Sequence, residues 1–223
     1  MKLKAPFRFL LAVCLTSASA AAPPAKQILA QVRMQQAQQD IDLQGQLREQ
    51  SSGRVVPFRL TLNGPVVRYT FTNPSEALQL RLGDNDSQLE QVGKNGIDKI
   101  AGPEFEQKVR DTDVTYEDLA LRFLYWPAAE VVGEDYINTR RVWKLELKPP
   151  GHQSQYSRVL LWCDEKSGAM MKVEAFDWNG KLAKRFTIVS VQDIEGRTFL
   201  KQMRIDNLQP GKAPSYTYLE IKK

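Results

Sequence analysis

The side chains able to do chemistry concentrate in "RDTDVTYEDL", Arg110 to Leu119, where Asp111, Asp113, Glu117 and Asp118 fall close together. Paired carboxylates can act as acid and base in a hydrolase. Their spacing lacks the regular oxygen ligands and the glycine of a calcium loop. Thr115 and Asp118 have the spacing of a capping box, so Asp113 and Asp118 are expected to cap helix ends rather than to act on a substrate. His152 is the sole histidine and sits in the turn-rich "KPPGHQSQY", where an exposed side chain is expected. No serine stands in a nucleophile elbow. One histidine and two cysteines cannot make a transition-metal site without several carboxylates. There is no phosphate-cradling glycine loop and no dinucleotide fingerprint. The chain reads as non-enzymatic, with no cofactor and no metal.

The first residues read as an export signal. Lys2, Lys4 and Arg8 form a charged start, Phe9 to Leu15 a short apolar core, and Ala18-Ser19-Ala20 a small-residue cleavage site. Ala20-Ala21-Ala22 is an alternative that would leave Pro23 after the cut, so residues 1–22 are assigned to the signal and 23–223 to one domain. The apolar core is too short to span a membrane. Val13 stands where a lipoprotein signal needs a small residue before Cys14, so Cys14 is expected to leave with the signal and Cys163 to remain as a structural thiol. Of the 31 basic residues three lie in the signal, leaving 28 against 26 acidic ones. So even a balance, without runs of like charge, argues against nucleic acid as a partner. The expected location is the periplasm, with no transmembrane segment after cleavage.

The positioning elements follow from periodicity. "AKQILAQVRMQQAQQD" carries Ile28, Leu29 and Val32 on one stripe, which predicts an amphipathic helix. From Ile41 the period is two, and alternating runs recur at Ile41–Leu47, Val56–Leu62, Val67–Phe71, Leu78–Leu82, Leu89–Val92 and Val142–Leu147. They recur again at Arg158–Cys163, Met170–Phe176, Lys181–Val191, Phe199–Ile205 and Tyr216–Ile221. Asn63-Gly64 marks a tight hairpin. After Thr115 a 3.6 period predicts one or two short helices ending near Pro127. About ten to eleven short strands with helices at the N-terminus and in the middle predict a mainly β fold: one strongly curved antiparallel sheet, helices against its inner face. A curled sheet of this size leaves room for an apolar ligand. The candidate lining is Phe58, Leu60, Tyr69, Phe71, Phe123, Trp143, Leu145, Trp162, Val173 and Met203, with Met34, Met170 and Met171 as adaptable neighbours.

These residues carry a family resemblance. The Gln-rich helix is followed by "RYTFTNPSEALQLRLG", "DTDVTYEDL" and "VLLWCDEKSGAMMKVEAFDWNGKLAKRF". That order resembles the outer membrane lipoprotein-sorting protein family, relatives of the periplasmic lipoprotein carrier LolA and its receptor LolB. Thr112-Asp113-Val114-Thr115-Tyr116-Glu117-Asp118-Leu119, Leu161-Trp162-Cys163-Asp164, and Lys172-Val173-Glu174 with Asp177 and Gly180 are the matching elements. The resemblance implies a half-open antiparallel barrel with helices as a lid, holding lipoprotein acyl chains or lipid during transport across the envelope. It implies an inner-membrane donor and an outer-membrane acceptor as partners, and no catalytic residue. The carrier's functional arginine has no counterpart, since Gly64-Pro65 stands at that place with Arg68 beyond it. A non-catalytic signalling or scaffold module of the same fold, binding a protein partner, is the competing expectation, and a hydrolase using Asp113, Glu117 or Asp118 the third.

Overall fold

The structure, a computed structural model, describes residues 22–37, 40–209, 211 and 213–222. Residues 1–21, which hold all but the last residue of the expected export signal and include Cys14, lie outside the described residues. Helix α1 (Ala25–Ala37) buries Ile28, Leu29 and Val32, the stripe expected from the sequence.

The strands are β1 (Asp40–Glu49), β2 (Val55–Asn63), β3 (Val66–Thr72), β4 (Ser75–Leu82), β5 (Ser87–Gly93), β6 (Gly96–Lys99), β7 (Ala128–Ile137), β8 (Arg140–Lys148), β9 (Arg158–Asp164), β10 (Met170–Phe176), β11 (Leu182–Ile194), β12 (Arg197–Asn207) and β13 (Ser215–Lys222). All thirteen form a single antiparallel sheet in the order β6-β5-β4-β3-β2-β1-β13-β12-β11-β10-β9-β8-β7. The expected count of ten to eleven is therefore corrected to thirteen. The two additions are the edge strands β6 and β7. β6 is exposed along its whole length, and β7 carries a bulge between Val131 and Gly133, so neither shows clean alternation.

Two meanders make up the sheet, and β1 and β13 join them in register from Gln44↔Lys222 to Glu49↔Thr217. The sheet is not closed: β6 and β7 are its free edges, and residues 100–127 run between them. That middle segment contains 3-10 turns at Gly102–Glu106, Val109–Asp111 and Arg122–Tyr125, and helix α2 (Tyr116–Ala120). It crosses the inner face, where Phe105, Val109, Val114, Leu119, Phe123 and Leu124 join the core built from both halves of the sheet. Burying these six together with the strands' inward residues is what holds the sheet curled around the segment.

Candidate functional site

The inner wall does not close fully on the middle segment. A cavity of about 280 Å³ remains beneath it, at the seam of the two meanders. β1 contributes Leu43 and Leu47, and β2 contributes Leu60 and Leu62. Val67 and Tyr69 of β3 and Leu80 of β4 complete that side. From the other half come Met170, Phe186, Ile188, Met203, Ile205, Leu219 and Ile221. The roof is the middle segment itself, through Val114, Asp118, Leu119 and Leu121. The pleat explains the set: the register places Ile188 opposite Met203, Met203 opposite Leu219, and Leu219 opposite Leu47, so one inward row crosses four strands. An enclosed apolar cavity of about 150 Å³ is already large enough to accept a small hydrocarbon.

One close approach shapes the wall beside it. Gly45 lies beneath the ring of Phe58, and an added β-carbon there would come 2.4 Å from Phe58 Cε2. The glycine lets that ring lie flat over β1. Phe58 then meets Tyr69 and Phe71 edge-to-face, with centroids 5.4 and 6.1 Å away.

The roof is bolted at both sides. Thr115 and Asp118 form the expected capping box: the Asp118 amide donates to Thr115 Oγ1 at 3.3 Å, and the Thr115 amide to Asp118 Oδ2 at 2.8 Å. Asp118 Oδ2 also accepts from Lys184 Nζ of β11, and Oδ1 accepts from the Tyr156 hydroxyl at 2.5 Å. Lys184 is 1% exposed. It donates a second bond to the Asp113 carbonyl at 2.8 Å, and Asn207 Nδ2 of β12 donates to Asp113 Oδ1 at 3.0 Å. Asp113 is thus not a helix cap; it ties the roof to β12. On the opposite side Arg110 pairs with Glu76 at 2.6 Å, donates to the Asn73 and Pro74 carbonyls, and lies over the Phe71 ring at 4.8 Å. Burial pushes the Glu117 carboxyl above its usual value, and pushes the Tyr156 hydroxyl up, aided by the Asp118 charge. These carboxylates are built into the fastening of the segment. Among the described residues no cluster of three metal-ligating side chains occurs.

Of the ten residues singled out in the sequence, Leu60, Tyr69 and Met203 line the cavity. Phe58 is buried against Tyr69, and Phe71 is buried against Phe58. Phe123, Trp143, Leu145 and Val173 are buried in the continuous core, but outside the cavity lining. There α1 and the Arg122–Tyr125 turn cover β7 and β8, so the space is filled. Trp162 lies on the outer face. Its ring is sandwiched between the Lys144 and Lys172 ammonium groups at 5.0 and 4.3 Å, and its Nε1 donates to Asp135 at 3.0 Å. Met170 lines the cavity, whereas Met34 is 55% exposed. Sequence reasoning missed the β13 pair Leu219 and Ile221 and the β1 pair Leu43 and Leu47 as lining. Their alternation was visible, but the seam that brings them together was not. Cys163 is fully buried, and burial pushes its thiol up to about 12. His152 is exposed and stacks on Trp178 at 3.7 Å.

Comparison with solved structures gives the same architecture. A DUF1329 family protein from Desulfovibrio piger is similar with a TM-score of 0.67 at 19% identity, over 91% of this chain and 92% of that one. A protein described as an outer membrane lipoprotein-sorting protein domain from Vibrio parahaemolyticus is similar with a TM-score of 0.68 at 17% identity, over 89% and 90% of the two chains. A LolA superfamily protein from Nitrosomonas europaea is similar with a TM-score of 0.67 at 16% identity, over 91% and 93%. At these identities the likeness is one of fold, and it is the LolA-like curved half-barrel expected from the sequence. No curated protein matches. A family model described as an uncharacterized protein-like family matches residues 95–223, from the start of β6 through the roof to the far strand of the seam, and the chain belongs to that family.

Proposed function

We propose that the protein binds the apolar tail of an acylated molecule, a lipoprotein or a lipid, beneath its middle segment and carries it within the bacterial envelope. The observation that supports this reading most directly is the cavity of about 280 Å³ with an almost wholly apolar wall, aliphatic for the most part with Phe186, Phe199 and Tyr69 among its lining. Each methylene moved from water into such a wall gains about 0.8 kcal/mol. Contacts of this kind have no direction, so a tail can slide in and out without breaking a hydrogen-bonded fit, as a carrier requires. The ten sequence candidates enter this proposal unequally: Leu60, Tyr69 and Met203 touch the ligand, and Phe58 and Phe71 support Tyr69. Export by the N-terminal signal, a periplasmic location, donor and acceptor proteins on the two membranes, and the absence of catalysis belong to the same reading. The Vibrio parahaemolyticus fold neighbour, whose description names lipoprotein sorting, agrees with it.

Titration of the mature protein with N-phenyl-1-naphthylamine, an uncharged apolar fluorophore, tests the proposal. Saturable binding is expected, and Met203→Trp or Leu219→Trp, which fill the cavity, should remove it while the thermal transition stays cooperative. Absence of saturable binding, or undiminished binding in both filled variants, would overturn it. A pull-down that recovers a protein partner equally well with the filled variants would instead support the scaffold alternative.

A further inference from the structure

Only two side chains that line the cavity carry oxygen or nitrogen, Tyr69 and Asp118, and they stand in opposite situations. Asp118 is saturated: its two oxygens accept from Thr115, Tyr156 and Lys184, and its charge is matched by the buried Lys184 ammonium. Tyr69 is half-buried and held by the Phe58 ring, with Leu60 and Leu78 beside it in the sheet; its hydroxyl bonds no group among the described residues and is open to water, unlike the buried unpaired hydroxyl of Tyr125. A hydroxyl that gives up its water to a bound tail keeps a hydrogen bond if the tail brings an oxygen, and loses one if only hydrocarbon arrives. No cationic side chain lines the cavity, so a carboxylate drawn in would shed its water without a counter-charge.

We infer that Tyr69 selects tails that carry an uncharged carbonyl oxygen, as in an ester or an amide, over bare hydrocarbon and over free carboxylates. The inference rests on the tail-binding reading above and adds the chemical class of the ligand to it. The Tyr69 phenol is pushed up to about 12 by burial, so it remains a neutral donor throughout the working pH range.

The test is displacement of N-phenyl-1-naphthylamine from the full-length mature protein by decane, methyl decanoate and decanoate at pH 8, in the wild type and in Tyr69→Phe. The variant keeps the ring and its contact with Phe58, and a thermal melt confirms folding. In Tyr69→Phe, methyl decanoate should weaken by about three- to tenfold, the worth of one hydrogen bond, with decane unchanged. In the wild type, decanoate should displace the dye less well than its methyl ester. Equal effects of Tyr69→Phe on ester and alkane, no effect on either, or decanoate binding as well as the ester would each overturn the inference while leaving the cavity reading intact. If decane also fails to displace the dye, the cavity is not a tail site and both readings fall.

Discussion

A β-carbon placed on Gly45 has nowhere to go except into the Phe58 ring, so this position has a steric requirement that no backbone angle imposes. Gly45→Val is expected to cost about 1–3 kcal/mol through overpacking, read by urea unfolding, and Phe58→Leu in the same chain should recover part of the loss. Cys163, buried with its thiol pushed up to about 12, should resist a thiol reagent at pH 8 in the native protein and react once urea unfolds it. Glu117 works in the opposite sense from the paired acids of the outer face. Its carboxyl is raised by burial, so the native state holds its proton more tightly than the unfolded chain does. Stability from this group is present below the ordinary value of 4.5 and is lost as pH rises through its folded value. Glu117→Gln should therefore raise the melting temperature at pH 7 and flatten the decline between pH 4.5 and neutrality. Glu220 is lowered by its bond from Arg48, so its contribution is present above the ordinary value and is lost on acidification. The Thr115–Asp118 box was legible in the sequence because capping is local. The partners of Asp113 and Asp118, Lys184 and Asn207, were not, since 66 to 94 residues separate them along the chain.

The middle segment behaves as one element because its two anchorages are of different kinds. On the β11–β12 side it is held by a dry ion pair, with 2% and 1% of the Lys184 and Asp118 side chains exposed. Lys184→Met leaves the Asp118 charge buried alone and should cost about 3–5 kcal/mol in urea unfolding, whereas Lys184→Met with Asp118→Leu should return most of it. On the β3–β4 side Arg110 grips carbonyls and a ring near the surface, and Arg110→Ala should speed hydrogen exchange at residues 105–121 with little change in global stability. Elsewhere the strands with one wet face were legible, since alternation in runs such as "VWKLEL" has a single reading. β6 and β7 escaped because an edge strand has no obligation to alternate. The segment itself was expected as one or two helices and forms one turn of α-helix among 3-10 turns. Arg110, Asp111 and Leu121 adopt positive φ there, which lets the chain fold back over the cavity rather than run straight through it.

At the scale of the whole molecule the cavity belongs to neither meander. Its lining is drawn from β1–β4 and from β10–β13 together, and the β1–β13 ladder is what makes them one wall. A chain ending before Ser215 should therefore lose cooperative unfolding and binding of the uncharged apolar fluorophore together, whereas shortening the exposed β6 hairpin should disturb neither. The candidate lining read from the sequence came out incomplete for this reason: residues on a given strand announce that they face inward, but not which inward region is filled by α1 and which stays open. The ladder also sets an order of assembly. β1 is the first strand of the sheet to leave the ribosome and β13 the last of the thirteen, so no complete cavity can exist on a partly synthesised chain. Until the final strand arrives, Leu43, Leu47 and Leu60 stand without their opposite wall. A tail of the kind proposed above would therefore find its pocket only after β13 has paired with β1.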